Sequence, residues 1–237
     1  MKQKHRSSEK LERNSVWIVI PAYNEDSAIQ SVIESVRTAG YENVLVVDDG
    51  SRDNTAAKAK GAGADVLTHL INRGQGAALK TGIEYIGEMY HPRSIVTFDA
   101  DGQHQARDID SLVRPILNGN VDIVLGSRFI EHHETIPFFR KMILKLGTLF
   151  TNFTSRVSLT DTHNGFRALG PKAYQHIRIT HRGMEHASDI IDEISRNKLR
   201  YCEVPVHVLY SEYSLGKGQK TSHFIALGIK ILLRKLL

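Results

Sequence analysis

Along the first 130 residues, short apolar runs alternate with longer stretches in which apolar side chains recur every three or four positions. The runs are VWIVI (16–20), NVLVV (43–47), ADVL (64–67), SIVTF (94–98) and DIVLG (122–126), and the periodic stretches cover 26–39, 53–61, 75–89 and 108–118. Short runs rich in Val and Ile predict buried strands, and the periodic stretches predict amphipathic helices. Their alternation predicts βαβ units and an α/β fold built on a mostly parallel, Rossmann-like central sheet.

Beyond residue 130 the pattern changes. An amphipathic helix is expected over 137–155, followed by a loop, DTHNGFRALGP, and a helix around 184–196. A β segment, RYCEVPVHVLY, then leads into a glycine- and lysine-rich loop, SLGKGQKTS, and a terminal amphipathic helix. No composition shift marks a second domain. The expected layout is a polar tail over 1–15, one domain over 16–222 and the helix 223–237. In the first amphipathic segment Phe138, Met142, Leu146, Leu149 and Phe153 form a stripe beside Arg140, Lys141 and Lys145. Such a stripe ordinarily faces a core, which is the expectation here. In the terminal segment Ile225, Ile229, Leu232 and Leu236 do the same beside Lys230, Arg234 and Lys235, and those basic flanks place it on an anionic membrane or against a small membrane partner.

Composition narrows the classes without choosing one. The chain has 237 residues and a net charge of +5, a mild excess that suits an anionic surface or phosphorylated substrates. Its basic residues are interleaved with aliphatics and not with aromatics, unlike the face of a single-strand nucleic-acid binder, so no nucleic-acid partner is expected. The one cysteine, Cys202, allows no internal disulfide and fits a reducing cytoplasm. No apolar stretch of about twenty residues exists to span a bilayer, and the polar start does not resemble a signal peptide.

The chemistry gathers at predicted strand ends. Asp48 and Asp49 follow NVLVV, while Asp99 and Asp101 follow SIVTF, and ligands of open parallel sheets bind outside those ends. On extended chain, residues i and i+2 point the same way, so Asp99 and Asp101 face one point. Alone, an Asp-x-Asp is compatible with a solvated turn. At the end of an apolar parallel strand it points to a hard divalent cation, which takes one or two carboxylates plus substrate phosphates, with Gln103 as a third oxygen donor. His104 is available as a further ligand, though a loop histidine more often sits behind such a site or is structural. In IPAYNED, Tyr23 offers an aromatic face and Glu25 a hydrogen-bond acceptor for a base or ribose; in VVDDGSRDNT, Asp49 offers another acceptor. NRGQGAALKTG matches neither phosphate-loop fingerprint, so Gly74 and Gly76 read as a close-packed turn. Arg128, in GSRF, is either a phosphate ligand or a surface ion pair. Lys217 and Lys220 lie in a loop that either closes over a diphosphate or is simply solvated.

Taken in order, VIPAYNE, VVDDGSRDNT, NRGQGAALKTGI, DADGQH, GSRF, GFR and YSLGKGQ resemble the family-2 glycosyltransferases of GT-A fold, most closely the polyprenyl-phosphate glycosyltransferases. The resemblance implies nucleotide contacts from Pro21, Tyr23, Glu25 and Asp49, with Asp48, Asp99 and Ala100 beside them. It implies that Asp99, Asp101 and Gln103 hold Mg²⁺ or Mn²⁺ and the donor diphosphate, that Arg128 meets a phosphate, and that Lys217 closes over the site. The expected activity is inverting transfer of a sugar from a nucleoside-diphosphate sugar to a polyprenyl phosphate, at the cytoplasmic face of the membrane. Two other readings share the fold. One transfers sugar to a saccharide hydroxyl in cell-surface polysaccharide synthesis, with Glu185 as the general base that a hydroxyl requires. The other is a non-catalytic nucleotide-binding scaffold, which the intact Asp99, Asp101 and Arg128 argue against.

Overall fold

The computed structural model describes residues 12–130, 138–162, 164–183 and 185–209. Seven strands, β1 (Val16–Ala22), β2 (Val44–Asp48), β3 (Asp65–Thr68), β4 (Ser94–Thr97), β5 (Ile123–Ser127), β6 (Arg167–Leu169) and β7 (Tyr201–Pro205), form one sheet. Their order is β3-β2-β1-β4-β6-β5-β7, with β6 antiparallel to both neighbours and the other strands parallel to one another. Every residue of β1 is buried, as a central strand covered on both faces requires.

Helices α1 (Ile29–Thr38), α2 (Thr55–Gly61) and α4 (Ile109–Leu117) cover one face, where Ile33, Ala59 and Leu112 meet Ile18, Val46 and Val96. Helices α3 (Gln75–Tyr90), α6 (Pro171–His176) and α7 (His186–Arg196) cover the other, where Leu79, Tyr174 and Ile190 meet Val19, Leu45 and Ile95. The alternating strand side chains thus feed two separate cores. The expected strands and helices of the first 130 residues all form, with ends displaced by up to three residues.

Two elements depart from expectation. The segment taken as a single loop, DTHNGFRALGP, contains β6, which inserts between β4 and β5 with Thr97 opposite Arg167 and Leu125 opposite Arg167. The second departure is α5 (Phe138–Ser155), whose stripe does not face a core. Met142, Leu146, Leu149 and Phe153 are exposed, Phe153 at 84%, while Thr148, Thr151 and Ser155 are buried. Two of the buried hydroxyls bond across: Thr148 bonds the Thr162 hydroxyl at 3.3 Å, and Ser155 donates to Asp192 of α7. Asn152 is bonded twice to Leu159, donating to its carbonyl and accepting from its N–H. Polar contacts to the 159–162 segment and α7 decide which face of α5 turns inward. The terminal segment 223–237 and the tail 1–11 lie outside the described residues.

The packing of α3 on the sheet depends on Gly82. A Cβ there would lie 2.7 Å from Val19 Cγ1 and 3.0 Å from Val47 Cγ2, so only a bare Cα lets the helix approach. Gly82→Leu is expected to lower unfolding free energy by about 2–3 kcal/mol through overpacking, read by chemical denaturation. An unchanged denaturation midpoint would show that the helix can withdraw without loss.

Candidate active site

The carboxyl ends of β1, β2, β4 and β5 lie at one edge, and β6, being reversed, starts there. The exits of β1 and β2 are tied together. Asn24, at φ 54° in the left-handed region that Asn tolerates, donates its N–H to Ser51 Oγ and accepts from Arg52 N–H through Oδ1, both at 2.9 Å. Glu25 N–H donates to Thr55 Oγ1 at 2.8 Å. This frame buries Pro21 and leaves the Tyr23 ring 41% exposed at the edge.

Asp48 and Asp49 are both buried and do different things. Asp49 accepts from Arg73 N–H at 2.9 and 3.1 Å, from Gly74 N–H at 2.6 Å and from His69 Nδ1 at 2.7 Å. Both of its oxygens are thus committed to holding residues 69–74. Among the described residues, the Asp48 side chain accepts only the Ser51 N–H, at 3.2 Å.

Asp99 and Asp101 follow β4 as the sequence implies, with Ala100 buried between them. Asp99 accepts from Gln75 Nε2 and from His104 Nε2, each at 3.0 Å. The His104 ring is itself held by stacking on Phe166, centroids 4.7 Å apart, and by an edge contact with Phe98 at 5.5 Å. Gly165 lies so close that a Cβ there would sit 2.9 Å from Asp99 Oδ2. Burial pushes the Asp99 pKa up, but His104, His186 and Arg167 outweigh it and hold the carboxyl below the usual range. Asp101 is shifted the other way, raised by burial and then by the Asp99 charge. Among the described residues its one side-chain bond is from Gln103 N–H at 3.0 Å. A pair so arranged, with one carboxylate fixed and the other raised by its neighbour, fits a divalent cation that completes its shell with substrate oxygens. Among the described residues no three His, Cys, Asp or Glu side chains form a metal site by themselves.

Behind the pair lies a cation that the sequence reading did not single out. Arg167 is only 1% exposed, with Nε donating to the Asn164 carbonyl at 3.0 Å and Nη2 to the Thr162 carbonyl at 3.3 Å. Burial lowers its pKa to about 10, against the pull of Asp161 and Asp99, so it stays charged at neutral pH. Arg128 is not at the surface. Its Nε and Nη2 form a two-pronged pair with Asp161 at 2.6 and 2.9 Å, almost wholly buried. Asp161 N–H and Thr160 N–H in turn donate to Glu203 of β7. The GFR triplet could have revealed Arg167, because an arginine set in an apolar strand must have partners.

The start of α3 is closed by protein. Gly76 N–H donates to the Arg182 carbonyl at 2.7 Å, and a Cβ on Gly76 would lie 2.2 Å from the His181 carbonyl oxygen. Gly74 and Gly76 are therefore a close-packed turn, as expected. Glu185 folds back on the 181–183 segment, its Oε2 lying 2.6 Å from where a Gly183 Cβ would be. The adjoining His186 is buried, and burial and then the Arg167 charge depress its pKa. Lys217 and Lys220 lie outside the described residues, but the chain leading to them is docked at the site: Leu209 N–H donates to the Gln103 carbonyl at 2.9 Å, and Val208 bridges to His104.

Asp189 of α7 staples the 180–183 turn. It accepts from Thr180 N–H and His181 N–H at 2.8 Å, from Thr180 Oγ1 at 3.0 Å and from His181 Nδ1 at 2.7 Å. Burial alone would raise its pKa, yet these bonds leave it lowered. A carboxyl depressed in the folded state stabilises above its unfolded pKa, near 3.9, and that stability is lost as pH falls through the folded value. Asp189→Asn is expected to cost about 2 kcal/mol at pH 7, with the gap from the parent closing below about pH 4 in denaturation curves. A gap that does not change with pH would disprove the assignment.

The model of the family described as "Glycosyl transferase family 2" matches residues 17–178. The UDP-N-acetylglucosamine–dolichyl-phosphate N-acetylglucosaminyltransferase of Methanococcus voltae is 31% identical, over 94% of this chain and 95% of its own. The undecaprenyl-phosphate mannosyltransferase of Micrococcus luteus is 30% identical over 89% of each. Among solved structures, glucosyl-3-phosphoglycerate synthase from Mycobacterium tuberculosis, in complex with Mn²⁺ and UDP-glucose, superposes with a TM-score of 0.72 at 20% identity, covering 96% of this chain and 82% of that one. With a GT-A-like fold and the strand-end carboxylates in place, the chain belongs to glycosyl transferase family 2 and is a glycosyltransferase.

Proposed function

We propose that this enzyme moves a sugar from a nucleoside-diphosphate sugar to a polyprenyl phosphate, inverting the anomeric carbon, while resting on the cytoplasmic face of a membrane. The observation that carries the acceptor class is α5. It turns Met142, Leu146, Leu149 and Phe153 outward and packs its hydroxyls on the 159–162 segment that leads into the site. Four large apolar side chains on one exposed helix face suit an acyl environment, which is where a polyprenyl phosphate resides. No described helix is long and apolar enough to cross a membrane, and the contact proposed is a peripheral one. The names of the relatives from Methanococcus voltae and Micrococcus luteus support the same acceptor class.

Tyr23 gives the nucleobase an aromatic face, with Pro21 and Glu25 lining the same exit. Asp49 acts by fixing the 69–74 loop, and Asp48 is the acidic group of that pair with capacity left for the nucleoside. Asp99, Asp101 and Gln103 would hold Mg²⁺ or Mn²⁺, which supplies Lewis-acid stabilisation of the charge on the leaving diphosphate. Gln75, His104 and the bare Gly165 keep Asp99 in one orientation for that role. A substrate phosphate at Arg128 would share the guanidinium with Asp161. The docking of Val208 and Leu209 on residues 103–104 brings the chain toward Lys217 back beside the carboxylates. A phosphate monoester has a second pKa of about 6, so the acceptor is already ionised near neutral pH and needs no protein base.

Given labelled nucleotide sugar and polyprenyl phosphate in detergent, the enzyme should yield an organic-extractable, mild-acid-labile product, and excess chelator should abolish it. Asp101→Asn should lose on the order of a thousandfold in rate and Glu185→Gln less than about tenfold. Label appearing only in a water-soluble saccharide, with Glu185→Gln as inactive as Asp101→Asn, would establish the hydroxyl-acceptor reading instead. Separately, Leu149→Ser with Phe153→Ser should weaken sedimentation with lipid vesicles by about tenfold while the fold, read by thermal melting, is retained. Undiminished sedimentation would remove α5 as the membrane contact.

A further inference from the structure

The transfer reaction leaves a second exposed apolar feature unused. Between β3 and α3, Leu70 is 101% and Ile71 71% exposed, two adjacent aliphatic side chains standing in water. The loop bearing them is clamped. His69 bridges Asp49 and Thr81 Oγ1 at 2.7 and 3.0 Å, and Arg73 and Gly74 donate their N–H groups to Asp49. From beneath, Gly50, at φ 74°, lies so close that a Cβ would be 2.8 Å from the Ile71 carbonyl carbon. The fold therefore fixes this tip in a position where its side chains meet no protein core.

Three exposed arginines flank the tip: Arg73 within the loop, Arg52 on the Gly50 turn, and Arg182, whose carbonyl caps α3. None makes an ion pair among the described residues. The acid on the Gly50 turn, Asp53, is exposed but its carboxylate is taken up locally, accepting from Thr55 N–H and Oγ1–H and from Asp26 N–H. An exposed aliphatic point with exposed arginines on the adjoining segments is complementary to an anionic lipid surface, where the side chains enter the acyl boundary and the guanidiniums meet phosphate. The tip follows β3, at one end of the strand order, whereas α5 packs on the segment that enters β6, so Asp48 and Asp99 emerge from strands lying between the two.

We propose that the Leu70–Ile71 tip and its arginines are a second membrane contact, which together with α5 turns the strand-end site toward an anionic bilayer. The inference rests on the membrane-bound acceptor reading, but its test uses neither acceptor nor donor. The whole chain is sedimented with phosphatidylcholine vesicles, with and without phosphatidylglycerol. Leu70→Ser with Ile71→Ser should weaken binding to the anionic vesicles by about tenfold, leaving nucleotide-sugar-induced thermal stabilisation unchanged. Changing Arg52, Arg73 and Arg182 to Gln should abolish the preference for anionic over neutral vesicles. Parental vesicle binding by the Leu70/Ile71 variant would overturn the proposal. So would a concentration-dependent dimer of the parent that this variant loses in sedimentation velocity, which would make the tip a protein–protein surface. Failure of transfer to polyprenyl phosphate, with vesicle binding intact, would overturn the acceptor reading alone.

Discussion

Asp99 and Asp101 place two negative charges two residues apart at a sheet edge, and much of the surrounding structure manages that repulsion. Gln75 and His104 hold Asp99 from two sides, Phe98 and Phe166 hold His104, and Gly165 withholds a side chain so that the carboxylate fits. Arg167 supplies a buried positive charge that nearby Asp99 and Asp161 help to keep protonated. The result is asymmetric: one carboxylate is ionised and fixed, and the other has its pKa raised by its neighbour. In the proposed reaction, a cation arriving with the donor would meet one rigid carboxylate and one whose ionisation its arrival favours.

Other acids near the edge serve the backbone. Asp49, Asp189 and Glu203 each accept at least two backbone N–H groups from a loop outside their own element. Loops at strand ends carry unpaired N–H groups that burial would otherwise leave unsatisfied, and a buried carboxylate satisfies several at once. The acidic residues that a motif gathers at one edge therefore divide into those that shape the site and those left to bind. Only hydrogen-bond partners tell the two apart.

The strand and helix alternation of the first 130 residues was legible because each element is set by its own apolar period. Strand β6 was not, because three residues, Arg167, Ala168 and Leu169, are too few to show a period and begin with a charge. The stripe on α5 was legible as a stripe, yet periodicity does not say which medium covers it; that was decided by Thr148, Asn152 and Ser155 finding partners in the 159–162 segment and α7. The placing of Asp99 and Asp101 together followed from extended-chain geometry. The partner of Arg128 lies 33 residues away and could not be read locally. Arg128 is ion-paired as one reading had it, but the pair with Asp161 is buried and not at the surface.

The reversed strand also sets an order of events for the growing chain. β4 pairs with β1 on one side, but its other neighbour is β6, whose residues are made about seventy positions later. Until then β4 is an open edge, and β5 and β7 have no strand through which to join it. Such distant pairing is slow to form and favours late closure of the sheet. Arg167 lies on the closing strand, so the acidic pair is synthesised well before the charge that balances it. A nascent chain halted before residue 167 would hold half a sheet and two carboxylates still lacking that counter-charge.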